Sequence, residues 1–199
     1  MTRVEEILDF WFGALPSDEV FHQEKAELWF RKDPATDEEI RVRFGALVEE
    51  ALAGGLATWC EDPRGTLALV LLLDQFTRNI YRDTPRAFAG DTRALALARA
   101  AFSSGSAAAL RPLERVFLAM PLMHAEDLAV QDESVALFAA LSDDAPPALR
   151  TLLANNHRYA VAHRDIIARF GRYPHRNAIL GRASSDEEVA FLKEPGSSF

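Results

Sequence analysis

The chain has 199 residues, 49% of them hydrophobic and 26% charged, with a net charge of −8 at pH 7. That balance belongs to a globular protein and excludes a disordered one. The acidity argues against a general nucleic-acid binder, whose affinity rests on phosphate neutralisation.

The length fits one domain, residues 1–199, and suffices to bury a core without disulfides or a structural metal. There are 33 Ala and 25 Leu against 10 Val, 6 Ile and 8 Thr, so β-branched residues are scarce and helix is favoured. Cys60 is the single cysteine, which excludes an intramolecular disulfide and suits a reducing compartment. The opening Met1–Glu6 is acidic and lacks a secretory apolar stretch. The longest apolar run, Leu67 to Leu73, falls far short of the roughly 20 residues that span a bilayer. The expectation is a cytoplasmic protein with no membrane and no nucleic-acid partner.

In chain order, Thr2-x-x-Glu5 is a capping box, followed by Val4, Ile7, Leu8 and Trp11 at helical spacing, with Gly13 as a stop. Ser17 with Asp18 and Glu19 predicts the start of a second helix. Thr36-x-x-Glu39 predicts a third, with a stripe of Ile40, Phe44, Leu47, Val48 and Ala51 closed by Gly54-Gly55. Asp62-Pro63 starts a fourth, from Thr66 to about Arg82, whose first half is apolar all round and therefore central and buried. Asp91 is read as the cap of a helix over 94–102. Pro112 suits a first helical position, and Pro121 predicts a kink or break before a segment that runs to Leu141. After the turn at 142–147, a long helix reaches Phe170 and stops at Gly171. Residues 172–182 read as an ordered loop, and Ser184-x-x-Glu187 caps a short last helix. The fold class is all-α, with eight or nine helices in antiparallel pairs joined by short turns.

Motifs for phosphate loops, dinucleotide turns, zinc helices and nucleophile elbows are all missing from the sequence. No metal and no cofactor is therefore expected. Three polar stretches remain. In Asp74-Gln75-Phe76-Thr77-Arg78-Asn79-Ile80-Tyr81-Arg82, the residues Asp74, Arg78 and Arg82 lie at i, i+4 and i+8, with Gln75 and Asn79 on a parallel ridge. They form either an ion-pair network that orients helices or the wall of an anion site. In Met120–Asp127, His124 continues an apolar stripe of Phe117, Met120, Leu128, Val135 and Phe138, and Glu126 follows it. His124 is either a core histidine or a general base whose tautomer Asp127, three residues on, would fix. From Arg150 to Arg182 there are seven arginines and three histidines, and Asp165 is the only acid. Here His163 shares a stripe with Tyr159, Ile166, Ile167 and Phe170. Arg169, Arg172, His175, Arg176 and Asn177 form a donor-rich run that is either salt-bridged or anion-binding.

The strings DQFTRNIYR, TPRAFAGD, MPLMHAEDL, HRDIIARFGRYPHRNAILGR and SSDEEVAFL, after an ILDFWFG opening, together resemble the bacterial domain of unknown function 924 over nearly the whole chain. The resemblance implies an all-helical protein with helix pairs in a right-handed, tetratricopeptide-like stack and no assigned activity. The matching polar positions are Asp74, Gln75, Arg78, Asn79, His124, Glu126, Asp127, His163, Arg169, His175, Arg176 and Asn177; Thr77 stands where Pro is usual.

Two functional readings follow. In the first, Asp74, Arg78, His124, His163 and the 175–177 loop converge on a pocket for a small anionic molecule, a phosphate or carboxylate compound, with His124 as base. In the second, the helices form a scaffold for a protein or peptide partner, with Trp11, Trp29, Phe30 or Trp59 along a groove, and the polar network only sets helix geometry.

Overall fold

The computed structural model describes residues 1–13 and 23–197. Among the described residues there are nine α-helices, counting 63–80 as one, and no strand. They are joined by short 3-10 turns and loops.

Helix α1, Arg3–Phe12, starts at the expected capping box and buries Ile7, Leu8, Trp11 and Phe12. Helix α2 is Gln23–Phe30; the expected start at Ser17 lies outside the described residues. Helix α3, Pro34–Leu52, begins earlier than expected. Its cap is Asp33, whose carboxylate accepts the Ala35 N–H, with Pro34 at the first position. Thr36 instead donates its hydroxyl to Asp33. The pairing of an acidic cap with Pro at the first turn outweighs the Thr36-x-x-Glu39 signal.

Helix α4 covers 63–80 and is capped by Asp62. Leu67 to Leu73 are each at most 1% exposed, as an all-round apolar helix requires. Leu71–Phe76 form a π turn, a local widening that re-aims side chains. The helix ends at Ile80, so Arg82 lies beyond it, and the expected i, i+4, i+8 ridge stops at Arg78.

Helix α5, Asp91–Ser103, is entered through Gly90 rather than capped by Asp91. A Cβ built at Gly90 would lie 2.2 Å from the Leu73 carbonyl oxygen. The cap position therefore has no room for a side chain, and the carboxylate falls on the next residue.

Helix α6, Pro112–His124, passes through Pro121 without breaking. The break comes at Ala125, three residues before α7, Leu128–Asp143. The amide nitrogen of the buried Gln131 of α7 stands 3.2, 2.8 and 2.7 Å from the carbonyls of Leu122, Met123 and Ala125, which share its two N–H groups. That satisfies the frayed end of α6, which otherwise leaves carbonyls unpaired. Leu128 is consequently 41% exposed, and the expected stripe from Phe117 to Phe138 does not continue through it.

Helix α8, Arg150–Phe170, ends at Gly171 with φ of 69°. Helix α9, Asp186–Phe191, is capped by a Ser185–Glu188 box, one residue later than expected.

Helix α4 sits at the centre, in contact with α1, α3, α5 and α6. Its Phe76 meets Phe10, Trp11 and Phe44 in an aromatic cluster that extends to Phe117. Trp11 is 1% exposed and belongs to this core, not to a groove. Helices α7 and α8 make the most extensive pair and close over α6. Among the described residues no helix is long and apolar enough to cross a membrane.

Candidate functional site

The π turn places Asp74 at the end of the apolar half of α4, fully buried. Its Oδ1 lies 2.7 Å from His124 Nδ1 and 3.2 Å from Arg78 Nη1. Its Oδ2 accepts the Gln75 amide at 2.6 Å. Burial alone would push this carboxyl up; the Arg78 guanidinium and His124 outweigh it and hold Asp74 below the usual carboxylate range. An ionised carboxylate only accepts, so His124 carries its proton on Nδ1, and in the neutral ring Nε2 holds a lone pair.

Arg78 forks onto Asp91, Nη1 to Oδ1 at 2.8 Å and Nη2 to Oδ2 at 3.0 Å, and also donates to the Asp74 carbonyl at 2.6 Å. Gly90 makes this possible by letting the start of α5 approach the π turn closely. On the other side of Asp91 stands Arg176, its Nη1 3.8 Å from Asp91 Oδ2. Arg176 is 7% exposed, and its side chain makes no hydrogen bond to any described residue; its Nε is buried without a partner. Two ring faces pack against its Cζ, Tyr173 at 4.5 Å and Phe88 at 4.7 Å from the centroids. Burial, then the neighbouring Arg78 charge, lowers the Arg176 pKa from its ordinary value.

Three imidazoles and a phenol complete the cluster. The His124 and His163 ring centroids are 6.5 Å apart, His163 and Tyr173 5.6 Å, and Tyr173 and His175 5.5 Å. His163 Nδ1 lies 2.7 Å from the Tyr159 carbonyl, which fixes a proton on that nitrogen. Burial first, then the neighbouring His124 and Arg176, push His163 down to about 3, against the bond to the Tyr159 carbonyl. Burial and Arg176 push His175 down to about 4. Tyr173 is fully buried; its hydroxyl donates to the Met123 carbonyl at 2.6 Å and accepts the Gln131 amide at 2.9 Å. It pins the 171–177 loop onto the end of α6.

A family model described as a bacterial protein of unknown function, DUF924, matches residues 7–196. The chain belongs to this family. The DUF924 chain is also similar to a solved structure of a protein of unknown function from Agrobacterium tumefaciens, at 37% identity and a TM-score of 0.79, covering 96% of each chain. A comparison with curated proteins returned no match.

Of the expected positions, this DUF924 fold brings together Asp74, Gln75, Arg78, His124, His163, His175 and Arg176. Glu126 and Asn177 act behind them. Glu126 takes a fork from Arg182 at 2.6 and 2.9 Å and the Tyr173 N–H at 2.8 Å, and Asn177 accepts Arg182 Nε at 3.0 Å and donates to Ser184. Four expected residues lie elsewhere. Asn79 and Arg82 both bond Asp37 of α3. Arg169 pairs with Glu187, and Arg172 forks onto Glu188, which it holds down to about 2 with help from the Ser185 N–H. These are ties that fix helix ends. The expected pairing of His124 with Asp127 is also corrected. Asp127 caps α7 through the Val130 N–H at 3.1 Å, a role its position just before a helix favours, and the partner of His124 is Asp74.

Asp91, Phe88, Tyr173 and Arg182 also join the site. The TPRAFAGD string carries both Asp91 and Phe88, and the α4–α5 contact brings them to Arg78. Among the described residues no group of three or more His, Cys, Asp and Glu is arranged to hold a metal ion.

Proposed function

We propose that this protein binds a small anionic molecule, a phosphate or carboxylate compound, at Arg176, and that His124 serves as general base toward it. Arg176 carries the reading: a guanidinium at 7% exposure with an unpartnered Nε. A buried charge without hydrogen bonds is costly, and an arriving anion offers the acceptors it lacks. The buried Asp74 orients His124 as the aspartate of a catalytic triad orients its histidine, leaving Nε2 to take a proton. Burial strengthens each of these interactions relative to water.

Isothermal titration with inorganic phosphate and with acetate tests this reading. Saturable one-site binding of at least one anion, abolished in a folded Arg176→Met variant, is expected. No binding of either, or equal binding by the variant, contradicts it.

A second reading, a helical scaffold for a peptide or protein partner, draws support from a different place. An open groove of about 640 Å³ is lined from α1, α3 and the segment after α3 by Val4, Leu47, Leu56 and Trp59, together with the charged Arg3, Arg43 and Glu50. Partner capture that is lost on Trp59→Ala and unaffected by Arg176→Met would favour the scaffold over the anion site.

A further inference from the structure

The cluster is asymmetric in its hydrogen-bonding chemistry, and the asymmetry narrows the ligand. At one end, the ring faces of Tyr173 and Phe88 lie against the Arg176 Cζ at 4.5 and 4.7 Å. They shield the guanidinium and leave its planar edge, with the unpartnered Nε, as the part that can bond. A planar, two-oxygen acceptor meets such an edge in a coplanar fork. The neighbouring Arg78 forks a carboxylate end-on, through Nη1 and Nη2, which hold Asp91 at 2.8 and 3.0 Å.

At the other end stands His124, with 17% of its side chain exposed. Its Nδ1 is committed to Asp74 at 2.7 Å. Its Nε2 makes no hydrogen bond to any described residue, and in the neutral ring with the proton on Nδ1 it presents a lone pair. A ligand group that faces it must donate. With Arg78 and Arg176 already in the same cluster, a cationic ammonium donor is repelled and a neutral hydroxyl is not.

We propose that the ligand is a hydroxylated carboxylic acid, its carboxylate forked onto the edge of Arg176 and its hydroxyl donating to Nε2 of His124. This assignment rests on the anion-site reading given above and adds the donor at the far end and the planar anion at the near end. His124 is then placed to take the proton of that same hydroxyl.

The test is isothermal titration of the full-length protein with butyrate and with 2-, 3- and 4-hydroxybutyrate, which keep one carbon skeleton and move the hydroxyl along it. At least one hydroxy acid is expected to bind about tenfold more tightly than butyrate, the worth of one additional well-made hydrogen bond. In a folded His124→Phe variant that advantage should fall to about onefold, while butyrate itself still binds. If the substitution prevents folding, nitrogen-15 NMR of the wild-type protein replaces it: the His124 Nε2 resonance should move with the preferred hydroxy acid and stay in place with butyrate. Equal affinities for butyrate and all three hydroxy acids overturn the proposal and leave the anion site standing. Binding of inorganic phosphate with no binding of any of the four acids overturns the carboxylate and leaves an anion site of another kind. No binding of phosphate or any acid overturns both.

Discussion

Asp74 and His124 stand 50 residues apart in the chain and meet at 2.7 Å between Oδ1 and Nδ1. The meeting depends on the π turn of α4, which carries Asp74, and on the unbroken passage of α6 through Pro121, which carries His124 to the helix end. Asp74→Asn keeps the shape and removes the charge. Arg78 retains Asp91, so the loss is expected near the lower end for a broken buried pair, about 3 kcal/mol. Urea denaturation measures it, and a change below about 0.5 kcal/mol would show that Asp74 is not the charged partner described.

Acid should destabilise the fold earlier than carboxylate titration alone would allow. His163 and His175 are neutral in the folded protein: burial, then His124 and Arg176, push His163 down to about 3, and burial, then Arg176, pushes His175 down to about 4. In the unfolded chain both titrate near 6.5. A depressed histidine means that the unfolded state binds more protons below pH 6.5. Stability is therefore fully present above about 6.5 and declines as pH falls toward 4 and 3. His163 alone should remove about 2 kcal/mol between pH 7 and pH 5. Denaturant midpoints across that window measure the slope, and His163→Gln should flatten it; a wild-type stability that is level from pH 7 to 5 would contradict the buried neutral state.

Gly90 should tolerate no side chain. A Cβ would stand 2.2 Å from the Leu73 carbonyl, which belongs to backbone and cannot rotate away. Gly90→Ala is expected to destabilise by about 2–3 kcal/mol through overpacking, and to weaken anion binding because Asp91 moves with the start of α5. Thermal melts and titration check the two effects together. A variant as stable as the wild type would mean that α4 and α5 do not meet as described.

Arg82 supplies the contrast. It forks onto Asp37 at 2.7 and 2.8 Å, on the α3 side of α4, with its side chain 30% exposed. Arg82→Ala should reduce stability by about 1 kcal/mol, given solvent screening, and leave anion affinity unchanged. Loss of binding on this substitution would place the anion elsewhere.

The history of these residues in the sequence shows what local pattern can and cannot carry. The all-apolar run Leu67 to Leu73 announced a central helix, because no amphipathic face was left to meet water. The Thr2 capping box and Gly171 stop were legible because caps are set by a few neighbouring residues. The polar stretches were legible as unusual, since charges on buried stripes demand partners. Their partners were not. Asp37, Asp74 and Asp91 each bond an arginine or histidine whose choice depends on helix packing, and a ridge drawn at i, i+4, i+8 takes no account of a π turn or of a helix that stops at Ile80. Asp127 misled for a similar reason: three residues from His124 is a neighbour only if the helix continues, and it breaks at Ala125.

The central claim is that a buried Arg176, whose Nε has no hydrogen-bond partner, takes up an anion beside a base held by Asp74. Nitrogen-15 NMR of the arginine Nε–H groups and histidine ring nitrogens, recorded during a carboxylate and then a phosphate titration, addresses both halves at once. The account predicts that Arg176 Nε–H shifts saturably with at least one anion, that Arg82 Nε–H does not move, and that His124 reads as protonated on Nδ1. An Arg176 signal unmoved by either anion, or a His124 protonated on Nε2 with Nδ1 bare, would contradict it.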